Sequence, residues 1–236
     1  CGRLERIVCP YHGWTYDLDG QLLGASYMEE ANNLETAKVK LPTLRLETWN
    51  GYLFVNLDDE ATPLHSRLEP LSPLIGHFHV DEMSYHFGAE MIWEANWKVI
   101  TENFTENYHT FRIHPDTLNL LNPTRMTQML DMGGAFHVHI EPYNDEREPL
   151  PGSYHAEVPE NARHHVVLLA VFPSSTFGVH ARRTFSFSIY PLSPERSRVK
   201  WGMAMRDDIP VDQLKAIKDT YNDIIAEDQV VVERLQ

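Results

Sequence analysis

Cysteine is nearly missing from this chain: there are 2 in 236 residues. Two thiols build no disulfide framework, and such sparse use suits a reducing cytoplasm rather than a secreted scaffold. Basic residues are also short, 20 against 34 acidic, for a formal net charge of −14. A surface of that sign repels phosphate, which argues against nucleic acid or anionic membrane as a partner. No apolar run nears the length of a membrane span; the longest, Val166–Phe172, reads as a buried strand. There is no internal repeat, no low-complexity tract and no glycine-rich loop to cradle phosphate, since Met132-Gly133-Gly134 reads as a turn. No pair of histidines at helical i,i+4 spacing flanks a glutamate, which argues against the zinc-protease helix. Cys-x-His does not occur. The chain opens with neither an initiating Met nor a targeting segment, and so reads as a piece of a longer protein.

What is present describes an ordinary globular protein, 42% hydrophobic and 23% charged, with room for one large or two modest domains. Residues 1–60 read as β-hairpins. Trp14–Leu18 and Gln21–Leu23 flank Asp19-Gly20, and Thr43–Thr48 and Tyr52–Leu57 flank Asn50-Gly51, both two-residue turn signals. Asp58–Pro73 is polar and carries proline, as a linker does. Further strands are expected at 85–93, 136–141, 165–172, 184–190 and 199–205, the last with Val199, Trp201, Met203 and Met205 on one face. Tyr143–Ser153 reads as a loop. Val211–Gln236 reads as an amphipathic helix with Leu214, Ile217, Tyr221, Ile224, Val231 and Leu235 on one stripe. An antiparallel sheet closed by a long terminal helix is α+β.

Three patches carry chemistry. The first runs from Glu102 to Pro115 behind the helix-like lead-in Asn96–Ile100. At ~100° per helical residue, His109 and His114 lie roughly 140° apart, so one regular helix cannot aim both at one point. Pro115 pushes His114 toward extended backbone, so the helix should end between the two histidines. Glu106, three residues before His109, is placed to reach the second nitrogen of that imidazole. The pair serves either a metal or backbone carbonyls in a corner. In the second patch, Asp228 breaks the apolar stripe of the terminal helix, and a buried carboxylate must pair with a cation or bind a metal. The neighbouring Asp219, Asp223 and Glu227 fall off the stripe and read as solvated. Two histidines, one carboxylate and open positions make the facial triad of non-haem Fe(II) oxygenases. The third patch, Cys9-Pro10-Tyr11-His12, offers a thiolate and an imidazole, a weak signal alone. The pairs His77/His79 and His137/His139 and the dipeptide Arg182-Arg183 read as ordinary core or solvated surface.

Together these patches resemble one family. Cys9 through Asp17 looks like the second ligand loop of Rieske non-haem iron oxygenase α subunits, the aromatic ring-hydroxylating type. Asn96-Trp97-Lys98, Glu102-Asn103-Phe104, His109 and His114 resemble its mononuclear-iron motif, and Glu227-Asp228 with Glu233 and Gln236 its C-terminal ligand helix. The resemblance implies that residues 1–60 are the C-terminal half of a β-rich Rieske domain and 61–236 a helix-grip catalytic domain with an internal pocket. It implies Fe(II) on His109, His114 and Asp228, and Cys9 and His12 as half of the ligands of a 2Fe–2S Rieske cluster. It further implies that Glu106 is catalytic, bridging from His109 toward a neighbouring subunit's His12. The partners implied are dioxygen, a small organic substrate, and a ferredoxin or flavin reductase passing electrons from NAD(P)H. A homotrimer or larger α-containing assembly is implied as well.

Two departures qualify the resemblance. The family's upstream Cys-x-His pair is not in this sequence, and Cys1 reads as an incidental loop residue. Position 106 is Glu where many ring-hydroxylating members carry Asp, as is frequent in relatives acting on quaternary amines. The expected activity is hydroxylation of an aromatic or other small organic molecule. The alternatives are N-dealkylation or C–N cleavage of a quaternary amine, and a non-catalytic helix-grip carrier of apolar ligands. Asp228 discriminates, because a carrier needs no carboxylate on a buried stripe. A pure Rieske electron carrier would end near residue 60.

Overall fold

The computed structural model describes residues 2–134, 136–144 and 153–236. The chain divides into two compact units, Cys1–Thr48 with Leu53–Ala61, and Trp49–Tyr52 with Thr62–Gln236. In the first, β1 (Ile7–Val8), β2 (Thr15–Tyr16) and β3 (Leu22–Gly24) form an antiparallel sheet in that order. The β1–β2 loop is closed by Cys9 N–H to Trp14 O at 2.8 Å and Gly13 N–H to Cys9 O at 2.9 Å. Gly13 takes φ 73°, a left-handed value that glycine adopts without a Cβ clash. β4 (Arg45–Trp49) and β5 (Tyr52–Asn56) form the second expected hairpin. Asn50 and Gly51 both have positive φ, 48° and 80°, which a type I′ turn requires.

The linker expected over 58–73 is only partly one. α1 (Leu64–Leu68) and α2 (Ser72–Ile75) occupy its second half, and Leu68, Leu71 and Ile75 are buried. Leu64, Leu68, Leu71 and Ile75 recur at 4, 3 and 4 residues, a helical apolar face. Pro70 and Pro73 interrupt it only in first turns, where no backbone N–H is needed.

Seven strands build the sheet of the second unit: β6 (Ser84–Trp93), β7 (Gln128–Leu130), β8 (Phe136–Pro142), β9 (His165–Val171), β10 (Ser175–Val179), β11 (Arg183–Ser193) and β12 (Arg196–Met205). Their order is β6-β12-β11-β10-β9-β8-β7, and every neighbouring pair is antiparallel. β7 and β10 have no counterpart in the sequence reading. β10 is short and contains Gly178, where a Cβ would meet the Phe185 ring at 2.2 Å. The missing side chain lets that ring lie across the strand. Most of the loop expected at 143–153 lies outside the described residues.

Four helices complete this unit: α3 (Trp97–Asn103), α4 (Thr110–Ile113), α5 (Leu118–Leu121) and α6 (Val211–Leu235). Asn96 caps α3, its side chain accepting from Lys98 N–H at 2.9 Å. Val199, Trp201, Met203 and Met205 alternate inward along β12 and pack with Trp93, Ile100, Phe187, Ile217, Ile225 and Val232. Burying each large side chain contributes about 1.5–3 kcal/mol. The inward face of α6 differs from the expected stripe: Ile225 and Val232 are buried, while Leu235 is 68% exposed. Positions 217, 221, 225, 228 and 232 follow the 3.6-residue period, and Asp228 stands among them. Among the described residues no helix is long and apolar enough to cross a membrane.

Candidate metal centre

The chain does not carry one helix up to the first histidine. α3 stops at Asn103, and the single-turn α4 lies between the two histidines, with His109 at its N-cap and His114 at its C-cap. Residues 104–108 form the turn that joins the helices. In it Glu106 Oε2 accepts the backbone N–H of Tyr108 and, at 3.1 Å, of His109, while Oε1 meets His109 Nδ1. The expected Glu106–His109 contact is therefore made within the turn between two helices, not along a helical face.

The second imidazole is held in the same manner. His114, fully buried, meets Glu227 Oε2 through Nδ1 at 2.7 Å and Asp228 Oδ1 through Nε2 at 2.8 Å. His109 Nε2 lies 3.5 Å from the same Asp228 oxygen. Both rings thus have a carboxylate on Nδ1 and turn Nε2 to a common point. Glu227 was expected in solvent, yet it also accepts from Thr117 Oγ1 at 2.8 Å. The His114 ring lies where the adjacent positions 227 and 228 can each reach one of its nitrogens.

The electrostatics follow from the packing. Burial pushes the His114 imidazole down, but hydrogen bonds and charge from Asp228 and then Glu227 outweigh it and hold it above its ordinary 6.5. Burial likewise pushes the Glu106 carboxyl up, and the bonds and charge of His109 with two backbone N–H groups bring it below 4.5. One ligand atom each from His109, His114 and Asp228 lies within 4.8 Å of the others. Donors bound at ~2.1 Å on one face of an octahedron are ~3 Å apart, so the set fits a divalent first-row ion.

This group opens on a cavity of about 220 Å³. Phe104, Phe185, Phe187, Tyr221 and Ile224 form apolar walls, and Glu141, His180 and Arg183 bring polar atoms. One of the ordinary readings holds here and one changes. His139 and Glu141 are buried and bonded at 3.2 Å, and Glu141 also accepts from Asn107 Nδ2. Arg183 is buried rather than solvated. No periodic signal marked Glu141, whose partner His139 lies two residues away on the same strand face. His77 and His79 do not act as a pair; His79 instead meets Glu157 at 2.7 Å and its ring lies tilted 3.7 Å from that of His155, a second and more exposed group of metal-ligand types.

In the first unit, the backbone N–H groups of Tyr11 and His12 point at the Cys9 thiol and lower it from 9.0. His12 is exposed, its ring 3.7 Å from that of Tyr11. Cys9 is the only cysteine among the described residues, and a Rieske cluster takes two cysteines and two histidines. Cys1 lies outside them.

Comparison with known proteins gives these groups a context. The Rieske [2Fe-2S] domain family matches residues 1–44. The oxygenase subunit of glycine betaine monooxygenase from Chromohalobacter salexigens is 32% identical over 120 residues, covering 51% of this chain and 27% of that protein. The oxygenase subunit of carnitine monooxygenase from Escherichia coli K12 is 26% identical over 237 residues, covering 98% and 61%. The chain therefore spans less than two thirds of the length of these relatives. A crystal structure of the quaternary ammonium Rieske monooxygenase CntA superposes with a TM-score of 0.82 at 21% identity, covering 99% of this chain and 62% of that one, and so shares the fold. The model of the ring hydroxylating alpha subunit (catalytic domain) matches residues 77–236, which hold the three convergent side chains and the cavity, and the chain belongs to that family.

Proposed function

We propose that this chain carries the mononuclear-iron and substrate-binding part of a Rieske-type oxygenase α subunit that oxidises a small organic molecule with dioxygen. The observation that carries this reading is the convergence of His109, His114 and Asp228 at the edge of the cavity. Fe(II) on these three ligands keeps open positions and supplies the dioxygen chemistry. The chain's own residues do the rest. Glu106 and Glu227 fix the tautomer and orientation of the two imidazoles, so that Nε2 faces the ion. Phe104, Phe185 and Phe187 exclude water from the side where substrate lies. The cavity is smaller than the ~300–1,000 Å³ of drug-sized sites, which suits a small substrate. Cys9 and His12 serve as half of a Rieske ligand set, with a ferredoxin or flavin reductase as donor, an α-containing oligomer as the assembly and the cytoplasm as the location.

A quaternary amine is the second reading of the substrate. The named relatives act on glycine betaine and carnitine, and aromatic faces such as Tyr221 and Phe185 attract a trimethylammonium group as well as an arene. A non-catalytic carrier would leave the buried Asp228–His114 pair without purpose. The test is substrate-dependent oxygen uptake, driven by NADH and a reductase, in a protein that joins this chain to a complete Rieske ligand set. A panel of trimethylammonium compounds and arenes separates the two substrate readings. Asp228→Ala should abolish uptake; unchanged turnover in that variant would contradict the proposal.

A further inference from the structure

Arg183 begins β11 and is only 6% exposed, yet among the described residues it has no counter-charge. Its Nε donates to Tyr221 Oη at 3.2 Å, and the guanidinium carbon lies 5.8 Å from the centre of that ring. The terminal nitrogens make no hydrogen bond to a described residue, and Arg183 lines the cavity. The ionisable neighbours it feels are the phenols of Tyr221 and Tyr143. Burial raises the Tyr143 phenol well above 10, so it stays neutral. Burial first, and the charge of Arg183 second, also keep His180 uncharged. Glu141, a carboxylate of the same cavity, is already held by Asn107 and His139. A buried cation with no counter-charge is costly, and a planar fork in the wall of a cavity matches one ligand group above others: a carboxylate bound through two parallel hydrogen bonds.

We infer that Arg183 is the subsite for a carboxylate carried by the substrate. The distance suits this role. Tyr221, which fixes the guanidinium, and Asp228 stand seven residues apart on α6, about 10 Å along its axis. A small acid anchored at Arg183 therefore extends its far end toward the three convergent ligands, and the length between carboxylate and reacting carbon selects the position oxidised. This rests on the oxygenase reading for the statement that the bound acid is a substrate.

Calorimetric binding to the purified chain tests it with two acids, a trimethylammonium butanoate and a phenylbutanoate, each against its primary amide. The pair of probes covers both readings of the remainder of the molecule. At least one acid should bind about tenfold or more tightly than its amide. Arg183→Gln should erase that preference, and Arg183→Lys should keep part of it because the charge remains without the fork. Amides that bind as tightly as the acids, or an absence of binding by either acid, would overturn the inference in the wild-type chain alone. A purely structural Arg183 predicts a lower unfolding temperature in Arg183→Gln with the acid-to-amide ratio unchanged, which would also overturn it. Co(II) binding measured on the same sample separates the two levels. Acid preference without metal uptake sinks the oxygenase reading, and metal uptake without acid preference sinks the Arg183 subsite.

Discussion

His109 and His114 stand far from Asp228 along the chain, and Asp228 and His114 are buried where they meet. Cys9 and His12 stand three residues apart on a loop, one half-buried and one exposed. The distant set carries an outer layer: Glu106 on one imidazole, Glu227 and Thr117 behind the other. Among the described residues, the local pair shows backbone N–H groups of Tyr11 and His12 at its thiol. A site gathered by tertiary structure arrives with its supporting contacts, because the fold that brings the ligands together also brings their neighbours. A site written in one loop is easier to read in a sequence and less determined by the chain that contains it.

The sharpest way to break this contrast is to ask the loop to work alone. Reconstitution of this chain with iron and sulfide should give no stoichiometric Rieske signal in visible or EPR spectra, because Cys9 and His12 leave half of the ligand positions unfilled. Metal uptake by the second unit should persist in Cys9→Ser. A full Rieske spectrum would show that Cys1 or another group completes the cluster, and the asymmetry between the two sites would vanish.

A smaller effect sharpens the role of the outer layer. Glu227→Gln and Glu106→Gln should each weaken Co(II) binding by about 10–100-fold while leaving the fold intact. Equal affinity in both variants would mean that the carboxylates only cap or solvate, and that the imidazoles are oriented by packing.

These two glutamates also mark the limits of what the sequence discloses. Glu106 was legible because its partner is three residues away, although the contact runs through a turn that helical periodicity does not describe. Glu227 was not, because its partner His114 is remote and a helical wheel places it off the apolar stripe. Asp228 was legible for the opposite reason, as the one charge on that stripe. The sheet followed from alternation in β11 and β12, where both faces of the pattern are distinct. β10 escaped because a strand covered by a neighbour's aromatic ring needs a glycine where alternation would call for a side chain. Arg183 escaped because nothing in Arg182-Arg183 says which of the two points inward.

The smallest effect expected is a pH dependence of stability set by buried histidines. His180 is held well below 6.5 by burial, with the charge of Arg183 second and His165 third. The unfolded chain takes up a proton at this site below pH 6.5 while the folded chain does not, so stability is full above 6.5 and falls as pH drops through it. His165, His137 and His77, also lowered by burial, act in the same direction. His114, raised above 6.5, acts oppositely in the metal-free chain, adding stability at low pH that is lost as pH rises through its folded value. Urea midpoints measured from pH 7.5 to 5.5 should decline, and His180→Gln should flatten the slope; an identical slope would remove His180 from the account.

The central claim is that one metal ion is held by His109, His114 and Asp228, and metal-edge X-ray absorption on the chain titrated anaerobically with Fe(II) tests it most directly. One ion per chain, with the scattering of two imidazoles and an oxygen ligand, is predicted for the wild type. That signal should be lost in Asp228→Ala and retained in His155→Ala, which disables the exposed His79–His155–Glu157 group. A signal that survives Asp228→Ala and disappears in His155→Ala would contradict the account.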